Sequence, residues 1–111
     1  MVFVESRPFT NRLASLAKSS WLDVLDAIQT SLLENPIRGD LVRGLSGIRK
    51  ARTPNPARGK GSRGGFRYLY LYVEHRGHIH LLFLLDKNEQ EDLDSGQRAL
   101  LRAMAQSIRE G

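Results

Sequence analysis

The sequence predicts an α+β fold in which an N-terminal strand and two helices precede an antiparallel sheet and a C-terminal helix. Two helical apolar patterns fill residues 8–35, three strand-like runs fill residues 47–86, and one amphipathic helical pattern ends the chain. With 111 residues, 41% of them hydrophobic and 26% charged, the chain is long enough for one core. We therefore expect a single domain over residues 1–111.

The first elements are a short strand, Val2–Glu5, and a helix that begins at Pro8, a residue type favoured in the first helical turn. Apolar residues follow at helical spacing, namely Phe9, Leu13, Leu16 and Ala17. This first helix should end near Lys18.

A second helix should begin at Ser20, because Asp23 three residues later completes a pattern similar to a capping box. Asn35-Pro36 should end it, since the residue before a proline avoids helical backbone angles. Its apolar stripe consists of Trp21, Val24, Leu25, Ile28 and Leu32. Because Trp21 lies on this stripe, we expect it in the core.

The middle of the chain predicts a three-stranded meander. Residues 37–47 contain three glycines and should be an irregular connection to a second strand over residues 47–53. A loop rich in glycine and proline, residues 54–65, leads to a third strand, Phe66–Val73, whose two faces are both largely apolar. A tight turn then returns the chain as a fourth strand, His78–Asp86, which gives antiparallel pairing of the three.

The last helix follows a polar connection over residues 86–94. Asp94 or Ser95 should cap it, with Gln97 completing a capping box. Its apolar stripe, wide enough to pack on a sheet, is Leu100, Leu101, Met104, Ala105 and Ile108.

Positive charge is concentrated in one part of the chain. Residues 38–67 hold nine basic side chains and one acidic one, a net charge of +8, whereas the rest of the chain is mildly acidic. Such a segment is typical of proteins that bind a polyanion, because neutralising phosphates releases counterions. The alternative is a solvated basic loop with no ligand.

Three of these cations should lie close together. Lys50 and Arg52 are two residues apart, so a strand points both to the same face. The meander brings Arg67, at the start of the third strand, within reach of both. Adjacent cations repel unless an anion or solvent compensates, so this arrangement indicates an anion site.

Other residue types give weaker signals. The chain has no cysteine, which excludes disulfides and thiol nucleophiles and is consistent with the cytoplasm. His75, His78 and His80 lack the further ligands that a zinc site needs, so we expect no metal, although they are possible general acids. We also expect no targeting peptide and no membrane segment. Tyr68, Tyr70 and Tyr72 could stack on bases, but we expect two of the three in the core.

The ordered set GLSGIRKAR, RGKGSRGGFRYLYLYV and an apolar strand ending in DKNEQEDL resembles the RelE/ParE toxin superfamily, and most of all its HigB-like branch. The resemblance spans nearly the whole chain. It implies a RelE-like fold and the toxin of a type II toxin-antitoxin system, a ribosome-dependent endoribonuclease that cuts mRNA in the decoding site without metal or other cofactor. The implied partners are the ribosome, mRNA and a helix-turn-helix antitoxin, with operator DNA bound only through that antitoxin.

The resemblance also implies residue roles. The paired basic residues of the family fall on Lys50 and Arg52, and its arginine at the start of the next strand falls on Arg67. We expect Arg67 to hold the scissile phosphate, Lys50 to act as base, Arg52 to stabilise the transition state and Lys87 to serve as acid or second phosphate contact. The expected RNA contacts are Arg49, Arg58, Lys60, Arg63 and Asn88.

Two alternatives stay open from the sequence. A ParE-like toxin would keep the fold but inhibit DNA gyrase without RNA chemistry. A non-catalytic RNA or ribosome binder would use the basic segment for affinity alone. The three converging cations favour the nuclease.

Overall fold

The computed structural model describes residues 1–58 and 65–111. The elements in chain order are β1 (Val2–Glu5), α1 (Arg7–Ala17), α2 (Trp21–Glu34), β2 (Asp40–Leu41), β3 (Arg49–Thr53), β4 (Phe66–Val73), β5 (His78–Asp86) and α3 (Ser95–Glu110). The predicted α+β class is confirmed. Within the described ranges, no helix is both long enough and apolar enough to cross a membrane.

The five strands form one sheet in the order β1-β5-β4-β3-β2. The predicted antiparallel meander of β3, β4 and β5 is confirmed. Two features were not predicted: β1 pairs parallel to β5, and β2 adds an antiparallel edge strand beside β3 within the segment expected to be irregular. The strand β3 begins at Arg49 rather than at Gly47, because Gly47 has a φ of 93° and belongs to the preceding turn.

Helices α1 and α2 cover one face of the sheet. Ser6 caps α1 by accepting a hydrogen bond from the Phe9 N–H at 3.2 Å, and the helix buries Phe9 and Leu13. The helix α2 buries Val24, Leu25, Ile28 and Leu32 against the same face. Tyr68 and Tyr70 are fully buried in this core and Tyr72 is half-buried, so the expectation of two core tyrosines is confirmed.

Two predictions about the start of α2 are wrong. A 3₁₀ turn, Lys18–Ser20, leads directly into the helix, so the backbone at Ser20 is not extended as an N-cap requires and its side chain makes no capping bond. Trp21 is 47% exposed, because the first residue of the helix lies at the margin of the sheet, over Leu13 and Ala14 of α1. The buried stripe therefore begins at Val24.

Helix α3 packs on the opposite face. Its capping box is confirmed, since Asp94 accepts from the Gln97 N–H at 2.8 Å and Gln97 accepts from the Asp94 N–H at 3.0 Å. Leu101 and Ala105 are buried in the second core. Leu100 was expected in the same stripe but is 42% exposed, because it points away from the sheet. Leu69, Leu71 and Leu85 supply the sheet side of this core.

Candidate functional site

The strand register places the key side chains on the face that carries α3. Lys50 pairs with Leu69, and Arg52 pairs with Arg67. Directly paired residues project to the same face, and Leu69 belongs to the core under α3. Asp40 of β2 pairs with Lys50 and joins the same face. The short β2 strand therefore adds a carboxylate beside the predicted cations.

A cavity of about 340 Å³ lies where these strands meet. The residues that line it are Arg38, Asp40, Lys50, Ala51, Arg52 and Arg67. The structure therefore brings together Lys50, Arg52 and Arg67, as the sequence predicts, and adds Arg38 and Asp40, which sequence reasoning missed.

Arg67 lies deepest in this group. Its side chain is 9% exposed, and its Nη1 atom is buried without a hydrogen-bond partner among the described residues. Burial lowers the pKa of the Arg67 guanidinium from its ordinary value, and the nearby charge of Arg52 lowers that pKa further. A buried guanidinium with an unused donor beside a second arginine is an arrangement that an anion would stabilise.

Arg38 and Asp40 reach the cavity because the backbone before β2 is held against β3 and β4. The Tyr70 hydroxyl accepts from the Gly39 N–H at 3.0 Å and donates to the Pro36 carbonyl at 2.9 Å. Arg49 donates to the Gly39 carbonyl at 2.8 Å. We call these contacts of Tyr70 and Arg49 with residues 36–39 the β2 clamp.

Gly39 is needed within the β2 clamp because the chains approach closely. A Cβ at this position would lie 2.9 Å from the Lys50 carbonyl oxygen and 3.0 Å from the Tyr70 ring. Such distances leave no room for a side chain. A possible sequence signal for the missed residues was the pair Arg38 and Asp40 on either side of this glycine.

Two predicted RNA contacts have other partners. The Arg49 guanidinium binds the carbonyls of the β2 clamp, at 2.8 Å for Gly39 and 3.3 Å for Ile37. Arg58 forms a two-point ion pair with Asp86, a buried residue at the end of β5. The hydrogen bond from Arg58 lowers the pKa of the Asp86 carboxyl, while burial opposes that shift. Both arginines therefore fix backbone segments that flank the cavity.

Two further predicted site residues, Lys87 and Asn88, lie outside the cavity. Lys87 and Asn88 are exposed just beyond β5 and do not line it, and the Asn88 N–H donates to Asp86 at 3.0 Å. Lys60 and Arg63 fall outside the described residues, so the structure does not place them.

The histidines lie at the other end of the sheet. His80 pairs with Leu71 and His78 with Val73, which lie about 13 Å and about 20 Å along β4 from Arg67 at roughly 3.3 Å per residue. His80 lines a separate, mostly apolar cavity between β1, β5 and α3, and burial lowers its pKa. Over residues 1–58 and 65–111, no group of three or more His, Asp or Glu side chains could hold a metal ion.

No model of a known protein family matches this sequence. Among solved structures, the chain is similar to the isolated E. coli RelE toxin, with a TM-score of 0.56, 11% identity, and coverage of 98% of this chain and 96% of that one. An arginine-to-alanine mutant of E. coli RelE in the free state gives a TM-score of 0.56 at 15% identity, covering 81% and 86% of the two chains.

The intact E. coli RelBE toxin-antitoxin complex gives a TM-score of 0.55 at 15% identity, covering 77% of this chain and 94% of that one. Similarity at such low identity establishes the fold. The chain therefore has the RelE-like fold, with the basic cavity on the sheet face that carries α3.

Proposed function

We propose that this chain is the toxin of a type II toxin-antitoxin system and a ribosome-dependent endoribonuclease of the HigB-like branch. The observation that carries the proposal is the buried Arg67 guanidinium, whose Nη1 donor has no hydrogen-bond partner among the described residues. Lys50, Arg52 and Arg38 line the same cavity. The RelE-like fold supports the proposal, because the similar solved structures are toxins and a toxin-antitoxin complex.

The site suits RNA cleavage by the RNA's own 2′-hydroxyl, which attacks the adjacent phosphate and leaves a cyclic phosphate and a 5′-hydroxyl. This reaction needs an oriented phosphate and compensation of the charge that develops on it. Arg67 can hold the phosphate through the fixed fork of its guanidinium. Lys50 and Arg52, on the neighbouring strand and the same face, can stabilise the transition state.

The three predicted cations of the cavity are not used in ion pairs with the described residues. In the part of the chain that the structure describes, the one ion pair that involves a basic residue of the predicted site is Arg58 with Asp86, which lies outside the cavity. Lys50, Arg52 and Arg67 form no ion pair with any described residue. The cavity holds four basic side chains and one described carboxylate, Asp40, so the cations repel one another, and a bound phosphodiester would relieve that repulsion.

The wider assignments follow the same proposal. The toxin acts in the cytoplasm on mRNA in the ribosome and needs no cofactor. A helix-turn-helix antitoxin neutralises it, and the toxin binds operator DNA only through this antitoxin. Lys87 and Asn88 are exposed just beyond β5, and in this proposal they contact RNA, with Lys87 as a proton donor or second phosphate contact.

The test is inducible expression followed by primer extension on cellular mRNA. We expect cleavage within codons by the native chain, and at least a tenfold loss in Arg67→Ala, because removing one preorganised donor costs roughly 2.7–4 kcal/mol in the barrier. The matched control is Arg102→Ala, since Arg102 is exposed on α3 and outside the cavity.

Lys50 and Arg67 replaced together by alanine should abolish cleavage while circular dichroism shows a folded protein. Cleavage at the native rate in Arg67→Ala would remove Arg67 from the site. Inhibition of gyrase supercoiling without mRNA cleavage would favour the ParE-like alternative, and ribosome binding without cleavage products would favour the non-catalytic one.

A further inference from the structure

Among the described residues that line the cavity, one carries a carboxylate. Asp40 lies on the edge strand β2, directly opposite Lys50. Its side chain is exposed and makes no hydrogen bond or ion pair with any described residue. Asp86 differs in that Arg58 and the Asn88 N–H already occupy its carboxylate oxygens. Asp40 is therefore an acceptor that is open to a ligand in the cavity.

We propose that Asp40 is the general base that takes the proton of the attacking 2′-hydroxyl. This proposal rests on the endoribonuclease function proposed above and assigns to Asp40 the role that the sequence suggests for Lys50.

The protonation states of the two residue types favour the carboxylate. Near pH 7 an ordinary aspartate has already lost its proton and can accept one directly, whereas an ordinary lysine is protonated and must lose a proton first. Lys50, which lies opposite Asp40 on the same face, is then left to stabilise the charge on the phosphate. The two residues then have complementary roles at one phosphodiester.

The position of Asp40 is fixed well enough for this role. Directly paired residues in antiparallel strands have Cβ atoms roughly 4.5–5.5 Å apart, which places Asp40 beside Lys50. The β2 clamp holds the preceding backbone through the Tyr70 hydroxyl and the Arg49 guanidinium. Proton transfer requires such positioning within hydrogen-bond reach of the nucleophile.

The charges around Asp40 come from every element that adjoins it. Arg38, Lys50, Arg52 and Arg67 share its cavity. Asp40 also lines a second cavity, together with Arg43, Asp92 and Arg98. Cations outnumber carboxylates in this group, so the surroundings of Asp40 attract an anionic phosphodiester.

The chemical step balances without any co-reactant. The O2′–H bond breaks and its proton moves to the Asp40 carboxylate, while the O2′–P bond forms and the P–O5′ bond breaks. The departing O5′ takes a proton from water, and Asp40 returns its proton to water. The products are a 2′,3′-cyclic phosphate and a 5′-hydroxyl.

The experiment measures mRNA cleavage in a translation extract across the pH range, with ribosome binding measured in parallel. Asp40→Asn keeps the shape but removes the proton acceptor, so we expect cleavage to fall by about 10²–10⁴-fold with ribosome binding unchanged. We also expect the acidic limb of the native pH profile to disappear from the residual activity. Asp26→Asn, an exposed substitution on α2, is the matched control and should behave as native.

Two further variants separate this role from a structural one. Asp40→Glu keeps a carboxylate and should restore cleavage to within about tenfold of native, even if Asp40→Asn folds poorly. Lys50→Arg keeps the charge but cannot release a proton, so any cleavage that it retains should still show the native acidic limb if Asp40 is the base.

Native-like cleavage in Asp40→Asn, or an acidic limb that survives in it, overturns the assignment. Loss of activity in Lys50→Arg with Asp40→Asn unaffected assigns the proton transfer to Lys50 and also overturns it. Absence of cleavage by the native protein refutes the endoribonuclease function itself. This result differs from failure of the Asp40 assignment alone, in which the native protein cleaves mRNA and Asp40→Asn cleaves it equally well.

Discussion

Replacing Tyr70 with phenylalanine removes one hydroxyl from β4. Tyr70 does not line the cavity, but its hydroxyl holds the backbone that carries Arg38 and Asp40, so both stability and cleavage activity should fall. The hydroxyl accepts from the buried Gly39 N–H at 3.0 Å and donates to the Pro36 carbonyl at 2.9 Å. Leaving a buried donor unsatisfied costs roughly 1–3 kcal/mol, and the partly exposed carbonyl can bind water instead. We therefore expect the free energy of unfolding to fall by about 1–3 kcal/mol.

The functional effect should exceed the effect on stability. The Tyr70 hydroxyl fixes the backbone between Arg38 and Asp40, and a misplacement of about 1 Å near a reacting group can cost on the order of 100-fold in rate. Urea unfolding measures the first effect, and mRNA cleavage in a translation extract at a temperature where the variant is folded measures the second.

Tyr72→Phe is the matched control for this prediction. Tyr72 lies on the same strand and its hydroxyl makes no hydrogen bond within the described residues, so both readouts should stay near native. The reasoning is refuted if Tyr70→Phe and Tyr72→Phe lose the same amount of stability and activity.

Three further predictions follow from single contacts. Gly39→Ala should lower stability by about 1–3 kcal/mol in urea unfolding, because its Cβ would meet the β3 backbone at 2.9 Å, whereas Gly96→Ala at the start of α3 has room and should be neutral or stabilising. The hydrogen bond with Arg58 lowers the pKa of the Asp86 carboxyl. Its contribution to stability is therefore present above the unfolded pKa of about 3.9 and is lost as the pH falls below that value. Asp86→Asn should make the urea midpoint depend less on pH in this acidic range. Burial lowers the pKa of His80, so the folded state binds fewer protons than the unfolded chain. The free energy of unfolding should therefore decline as the pH falls below about 6.5. His80→Gln should reduce this decline, measured by urea unfolding.

Local sequence patterns predicted most of the fold. The alternating side chains of Phe66–Val73 and His78–Asp86, joined by a short turn, define the antiparallel pair at the centre of the sheet. The strand β2 was missed because two residues carry no measurable periodicity, and this strand exists through contacts with Tyr70 and β3 that are distant in sequence. Trp21 was misplaced because helical spacing alone does not show where the sheet beneath a helix ends.

Local residue spacing also predicted part of the candidate site. The i, i+2 spacing of Lys50 and Arg52 places both side chains on one face of a strand, and the structure shows them lining one cavity with Arg67. The depth of Arg67 depends on the pairing register of β3 and β4 across a loop, and local pattern does not give that register. Arg58 likewise could not be assigned to Asp86, because the two are 28 residues apart in sequence.

The most direct test of the central claim is the structure of the protein on a ribosome programmed with mRNA that carries a 2′-deoxy nucleotide at the cleaved position, which blocks the attack. We predict that one phosphodiester lies in the cavity, with a non-bridging oxygen hydrogen-bonded to Arg67 Nη1 and with Lys50 and Arg52 within about 4 Å of the same phosphate. A phosphodiester bound on another surface, with Arg67 still unpaired in an empty cavity, would contradict the account.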